Sequence, residues 1–175
     1  KLGAKVVGFS KDIPTNPSMF VELNLEDKIK HVIGDVRDKK ALSELIINEE
    51  PDFIFHLAAQ AIVSSSYSNP VETMSTNIIG TMNVLEVLRH YTKPCVAVMI
   101  TSDKCYDNVE WIWGYRETDN LGGKDIYSGS KGAAELVIKS YFNSFFLKDH
   151  PVKLVTGRAG NVIGGGDWAQ DRIVV

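Results

Sequence analysis

The sequence predicts an α/β fold: a doubly wound, mostly parallel sheet with helices on both faces. Two observations carry that prediction. Strand-like and helix-like segments alternate along the chain with short connections, the pattern of a parallel sheet whose crossovers are helical. Residues able to do chemistry follow directly after the apolar runs, and open parallel sheets bind ligands beyond the carboxyl ends of their strands.

Residues 5–9 form a short apolar strand candidate, and residues 29–33 a second that ends at Gly34-Asp35. From Asp38, a predicted N-cap, Ala41, Leu42, Leu45 and Ile46 recur at helical spacing until Pro51 stops the helix. Residues 52–57 read as a strand buried on both faces. After Pro70, Val71, Met74, Ile78, Met82, Leu85 and Leu88 make one apolar stripe along a long helix. Pro94 ends it, and residues 96–100 form the next strand. Residues 103–124 read as irregular, about 127–146 as a second long helix, 152–156 as a further strand, and the Gly-rich tail 157–172 as loop. The arrangement is Rossmann-like. It is expected to lack its first βα unit, because no Gly-rich phosphate loop joins the first strand to a helix.

With 175 residues, 44% hydrophobic and 23% charged, the chain is long enough for one core and ordinary enough for a soluble domain. It is read as one partial dinucleotide-binding domain over 1–175, with a substrate-binding region starting at about 157–175. A net charge of -3 gives no electrostatic reason to expect nucleic acid or an anionic membrane as partner. No apolar run is long enough to cross a bilayer. Cys95 and Cys105 are expected as reduced thiols, which fits a cytoplasmic location. The histidines His31, His56, His90 and His150 are scattered, so no metal site is expected.

The chain opens on Lys1 and closes within the apolar run Ile173-Val174-Val175, so it is expected to be an excerpt of a longer protein. In a doubly wound sheet the first strand lies between the second and the fourth. Without it the sheet should split and leave two unpaired edges, and the 175-residue piece should be poorly stable and inactive by itself.

Tyr127 and Lys131 stand four apart, so on a helix they share a face. An ammonium beside a phenol favours the phenolate and makes tyrosine usable as a base. Taken alone, the spacing is equally that of a surface pair. Thr101-Ser102-Asp103-Lys104-Cys105-Tyr106 follows a buried strand and offers a hydroxyl, a carboxylate and an amine in succession, though Ser and Asp also favour turns. His56-Leu57-Ala58-Ala59-Gln60 puts small residues after a strand, either for a flat cofactor or for close helix packing. Asp35 either holds an adenine or is a turn residue. The Gly164-Gly165-Gly166-Asp167-Trp168 loop suits a diphosphate or a linker, and Trp168 argues for a packed loop. Trp111 and Trp113 read as packing residues that can also flank a sugar.

Gly34-Asp35-Val36-Arg37-Asp38, His56-Leu57-Ala58-Ala59, Thr76-Asn77, Thr101-Ser102-Asp103 and the Tyr127–Lys131 pair occur in the order of the extended short-chain dehydrogenase/reductases, which the chain resembles across nearly its whole length. Residues 102–108 and 160–168, with 111–116 and 122–125, are similar to the nucleotide-sugar 4,6-dehydratases of that family that act on CDP-glucose.

The resemblance implies conversion of a CDP-linked glucose to its 4-keto-6-deoxy form, through transient hydride transfer to a tightly bound nicotinamide cofactor. It implies Tyr127 as base at the 4-hydroxyl, Lys131 on Tyr127 and the nicotinamide ribose, and Ser102 on the 4-oxygen. Asp103 becomes the acid at the 6-hydroxyl and Lys104 the base at carbon five, where related dehydratases carry glutamate. It also implies cofactor contacts at Asp35, Val36, Leu57, Ala58, Ala59, Asn77 and Thr101, and substrate contacts at Gln60, Asn161, Asp167, Trp168 and Arg172. The cofactor is expected to be NAD. NADP is the alternative, because Ser10-Lys11 stands where an acid usually binds the adenosine ribose, with Asp12 one step later. A homodimer or higher homo-oligomer through the two long helices is implied. Two other readings remain open: a 4-epimerase or reductase using the same Tyr127 and Lys131, and a non-catalytic nucleotide-binding domain.

Overall fold

A computed structural model describes residues 3–147 and 149–171. Its strands form two sheets rather than one. β1 (Val7–Ser10) pairs in parallel with β2 (Lys30–Ile33), with Phe9 opposite Val32. β3 (Phe53–His56), β4 (Cys95–Ser102) and β5 (Val152–Ala159) form a second parallel sheet with β4 in the middle. The order β2-β1 followed by β3-β4-β5 is that of a doubly wound sheet lacking the strand between β1 and β3. This is the predicted split. Among the described residues β1 and β3 each keep one unpaired edge.

Helices complete the crossovers. α1 (Met19–Glu22) and a short 3-10 turn at Leu25–Asp27 join β1 to β2, and neither is evident in the apolar pattern. α2 (Lys39–Glu49) starts where expected: the Asp38 carboxylate accepts from the Lys40 and Ala41 amides. α6 (Ile126–Phe145) is the second long helix.

The predicted long helix after Pro70 is present from Pro70 to Arg89, but it is not α-helical throughout. α3 (Val63–Ser68) precedes it, α4 (Pro70–Met74) gives way to a π-helical stretch over Ser75–Gly80, and α5 (Thr81–Arg89) resumes. The buried face differs too. Leu85 and Leu88 are fully buried, but Val71 is 79% exposed. The buried positions nearer the start are Thr73, Asn77 and Thr81. Polar side chains can be buried there because each has a hydrogen-bond partner, and apolar periodicity cannot register them. β5 also runs farther than expected: Gly157, Arg158 and Ala159 pair with Ile100, Thr101 and Ser102 instead of forming loop.

The core lies around β4. Cys95, Ala97 and Met99 alternate on its buried face and pack with Leu42 and Ile46 of α2, Leu85 and Leu88 of α5, Ile138 of α6, and Val152. Of β1, only Phe9 reaches this cluster, and it is only partly buried.

Candidate active site

The carboxyl end of β4 supplies the first group of residues. Thr101 and Ser102 are its last two residues, and both are buried. The Ser102 hydroxyl donates to Asp103 Oδ1 at 3.0 Å and accepts from the Lys104 amide at 3.2 Å, capping a 3-10 turn over Asp103–Cys105. Asp103 and Lys104 are exposed at the strand's end. The chain then makes an excursion and closes it with a bridge between Tyr106 and Leu121. It returns flush against α6: a Cβ on Gly132 would stand 2.5 Å from the Gly122 carbonyl oxygen, so only glycine admits that approach.

Tyr127 and Lys131 open α6, the helix packed on the Asp103–Cys105 turn. Asp125 caps it through the Ser128 amide at 2.9 Å. Burial pushes the Asp125 carboxyl up, but hydrogen bonds from Ser128 and the Lys104 charge outweigh this and leave it below its ordinary value. Tyr127 and Lys131 are both 8% exposed, and the Lys131 ammonium lies 5.9 Å from the Tyr127 ring centroid. Burial lowers the Lys131 pKa. A buried ammonium is suited to neutral acceptors such as ribose hydroxyls.

The loop after β3 is pinned to this helix. Asn77, on the π-helical stretch, accepts from the Gln60 amide at 2.8 Å and donates to the Gln60 carbonyl and to Ser130 Oγ. Ser130 donates in turn to the Tyr127 carbonyl at 2.7 Å. The Gln60 side chain donates to Thr73 Oγ1 and the Ile62 carbonyl. Both amide hydrogens of Asn77 and of Gln60 are therefore used inside the chain. With their donors paired at buried and half-buried positions, these two side chains hold the loop in place beside the residues expected to meet the ligands. Ala58 and Ala59 are half-buried, and Leu57 is 69% exposed. His56 is buried with its Nε2 3.0 Å from Thr81 Oγ1, and burial and the Lys131 charge push its pKa down to about 4.

At the end of β2 the Asp35 carboxylate is gripped by the Arg37 side chain and backbone amide, which holds it below its ordinary value. Val36 is buried, and a Cβ on Gly80 would come within 2.6 Å of its side chain. Its carbonyl accepts from Asn83. Lys11, just past β1, pairs with Glu72 at 2.8 Å.

The tail leaves β5 beside Asp103: a Cβ on Gly160 would lie 3.7 Å from Asp103 Oδ2. Asn161 and Asp167 are exposed and Trp168 is half-buried. Gly166 sits against Met19 of α1 and Asp171 meets Ser64 of α3, so the far part of the tail touches both halves of the molecule, while residues 161–165 are exposed. Arg172 lies outside the described residues. Trp111 packs on Tyr115 at 5.4 Å, while Trp113 is 72% exposed.

A cleft of about 1150 Å³ is lined by Asp103, Lys104, Asp125 and Arg158 among others, but not by Ser102, Tyr127 or Lys131. The chain brings the two groups onto adjoining elements without putting them in one cleft. Sequence reasoning missed the cap Asp125, the Ser130 link to Asn77, and the buried pair Glu135–Arg158. One signal was available for Glu135, which stands four residues beyond Lys131 on the same helical face.

The sequence model of the GDP-mannose 4,6 dehydratase family matches residues 4–162. The chain is 49% identical over 178 residues to CDP-glucose 4,6-dehydratase of Salmonella typhimurium, covering 99% of this chain and 50% of that protein. It thus spans about half the length of the curated relatives it matches. Among solved structures it is similar to a dTDP-glucose 4,6-dehydratase from Streptomyces venezuelae with NAD bound (TM-score 0.71, 21% identity, 87% of this chain and 45% of that one). It is also similar to RMD from Pseudomonas aeruginosa complexed with NADPH (TM-score 0.66, 23% identity, 92% and 56%). The two likenesses show the same Rossmann-like fold.

Proposed function

The chain belongs to the GDP-mannose 4,6 dehydratase family, and from that premise we propose that it carries the catalytic and cofactor-binding residues of a nucleotide-sugar 4,6-dehydratase, a lyase that converts CDP-glucose to CDP-4-keto-6-deoxyglucose. One observation supports the reading most: the Ser102-Asp103-Lys104 turn is packed on the helix that bears Tyr127 and Lys131. The 49% identity to a CDP-glucose 4,6-dehydratase supports the choice of substrate.

A bound nicotinamide cofactor supplies a transient oxidation at sugar carbon four, which acidifies the proton on carbon five and is reversed at carbon six. Tyr127 takes the proton of the 4-hydroxyl. Lys131 favours the phenolate and donates to the ribose hydroxyls. Ser102 donates to the sugar 4-oxygen. Asp103 protonates the departing 6-hydroxyl, and Lys104 beside it takes the carbon-five proton. Asp35, Val36, Leu57, Ala58, Ala59 and Thr101 flank the cofactor. Asn161, Asp167, Trp168 and Arg172 face the nucleotide sugar. Asn77 flanks the cofactor and Gln60 the nucleotide sugar, and the two hold the loop between them.

The cofactor is NAD, since a cofactor restored in every turnover needs no reducing pool. Lys11, where an acid would favour NAD, keeps NADP as the alternative. The protein is cytoplasmic and assembles as a homodimer or higher homo-oligomer. Exposed apolar side chains on the two long helices, Val71 and Ile79 on one and Leu136 on the other, support the assembly. Among the described residues no helix is long and apolar enough to cross a membrane.

The test is incubation of the natural protein at full length with CDP-glucose, trace NAD and deuterated water. A product lighter by one water, with solvent hydrogen at carbon five, is expected. Inversion at carbon four without loss of water would reassign the site to a 4-epimerase, for which Asp103 and Lys104 have no task.

A further inference from the structure

Glu135 lies on the face of α6 that carries Tyr127 and Lys131, one turn beyond the lysine. It is 5% exposed, and no catalytic role above uses it. One carboxylate oxygen accepts from the hydroxyl of Thr101, the residue before Ser102. The other accepts from Arg158 Nη2 at 2.9 Å. Arg158 stands on β5 two residues before Gly160. Its guanidinium lies 4.9 Å from the Tyr106 ring centroid, and its Nη1 donates to the Glu117 carbonyl at 3.2 Å. One carboxylate thus ties together the catalytic helix, the end of β4, the end of β5 and both limbs of the 106–121 excursion.

A buried ion pair is a poor way to gain stability, because desolvating both charges offsets their attraction and an apolar pair of like volume does as well. What it gives instead is direction: a carboxylate that receives a hydroxyl and a guanidinium fixes angles as well as distances. We infer that Glu135 is a positioning residue, which with Arg158 sets Ser102 and Asp103 on one side and the Gly160–Trp168 loop on the other at fixed places relative to Tyr127. It acts through Thr101 and Arg158 and touches no reacting atom. The kinetic consequence rests on the dehydratase reading; the structural consequence does not.

The test compares the full-length protein with Glu135→Gln and with the double variant Glu135→Met/Arg158→Met, which leaves no unpaired charge. Both variants should lower kcat on CDP-glucose by about 10- to 100-fold, with KM changed far less, as expected when groups are misplaced rather than removed. The double variant should melt at the parental temperature and still be slow. Amide hydrogen exchange at residues 101–105 and 158–161, measured without substrate, should quicken in both variants while residues 85–88 are unaffected. A double variant with parental melting and parental kcat would overturn the inference, as would unchanged exchange at 101–105 in both. If the parent does not turn over CDP-glucose, the dehydratase reading fails, and the exchange measurement still decides the positioning role.

Discussion

β4 and β1 are both parallel strands of the same half-wound fold, yet they are held by different forces. β4 is paired on both edges, and its Ala97 and Met99 are fully buried between α5 and α6. β1 is paired on one edge, none of its residues is fully buried, and the exposed Ile33 of its partner β2 shows 63% of its surface. The β1–β2 unit is tied to the rest largely by charges. Lys5 and Lys30 both meet Glu49 of α2, and Lys11 and Arg37 both meet Glu72 of α4. Burial of apolar surface is not weakened by Debye screening, whereas exposed ion pairs are worth little and are screened. The proposed proton-transfer residues lie on the half with the core, and the proposed adenine contacts on the half without it.

If that division is right, removing chemistry and removing packing should separate cleanly. Tyr127→Phe should lower turnover of CDP-glucose by about 10³-fold, the size expected of an acid–base group, and leave the melting temperature unchanged. Steady-state kinetics with a parallel thermal melt checks it. Equal losses in both would place Tyr127 in the scaffold.

Core substitutions sharpen the contrast between the sheets. Leu85→Ala should cost about 2–5 kcal/mol of unfolding free energy in urea, because a fully buried leucine leaves a cavity. Ile33→Ala, at an exposed site, should stay within about 0.5 kcal/mol. Similar costs would mean that the two halves unfold from equally dense cores.

Acid should act through the packed half. The pKa of His56 is depressed to about 4 in the fold against 6.5 when free, so below 6.5 the unfolded chain binds the proton more readily. Stability should therefore be unaffected above pH 6.5 and fall by about 3 kcal/mol as the pH drops to 4. His56→Gln, which keeps a donor for Thr81, should flatten that slope in urea titrations across the range. A slope unchanged by the substitution would move the acid sensitivity elsewhere.

The smallest effect belongs to the other half. Glu49→Gln releases Lys5 and Lys30 and should lower the stability of this half only slightly. The difference from the parent should vanish in 1 M salt, on the order of a 3 Å screening length. Hydrogen exchange confined to residues 7–10 and 30–33 would register it, and an effect that survives high salt would contradict an electrostatic tether.

Much of this was legible in the chain. Asp38 before Ala41-Leu42 gives a real N-cap, and the runs at 52–57 and 96–100 contain real strands, because local capping chemistry and continuous apolarity act over a few residues. β3 is not buried on both faces as expected, since Phe53 and Phe55 face the open side. The split sheet followed from the missing first strand and fold order alone. The polar buried face of the helix after Pro70 did not, since Asn77 and Thr73 are buried only because Gln60 and Ser130 arrive from distant segments to meet their polar atoms.

The sequence by itself determined the alternation of strands and helices and the i to i+4 pairing of Tyr127 with Lys131, since both are set by backbone geometry within one element. Only the tertiary structure decided that Asn77 and Gln60 would clamp a loop, that Gly157 to Ala159 would be strand, and that Glu135 would meet Arg158 and Thr101. Those outcomes depend on groups tens of residues apart satisfying one another's buried hydrogen bonds and charges, and no local pattern encodes which partner will be there.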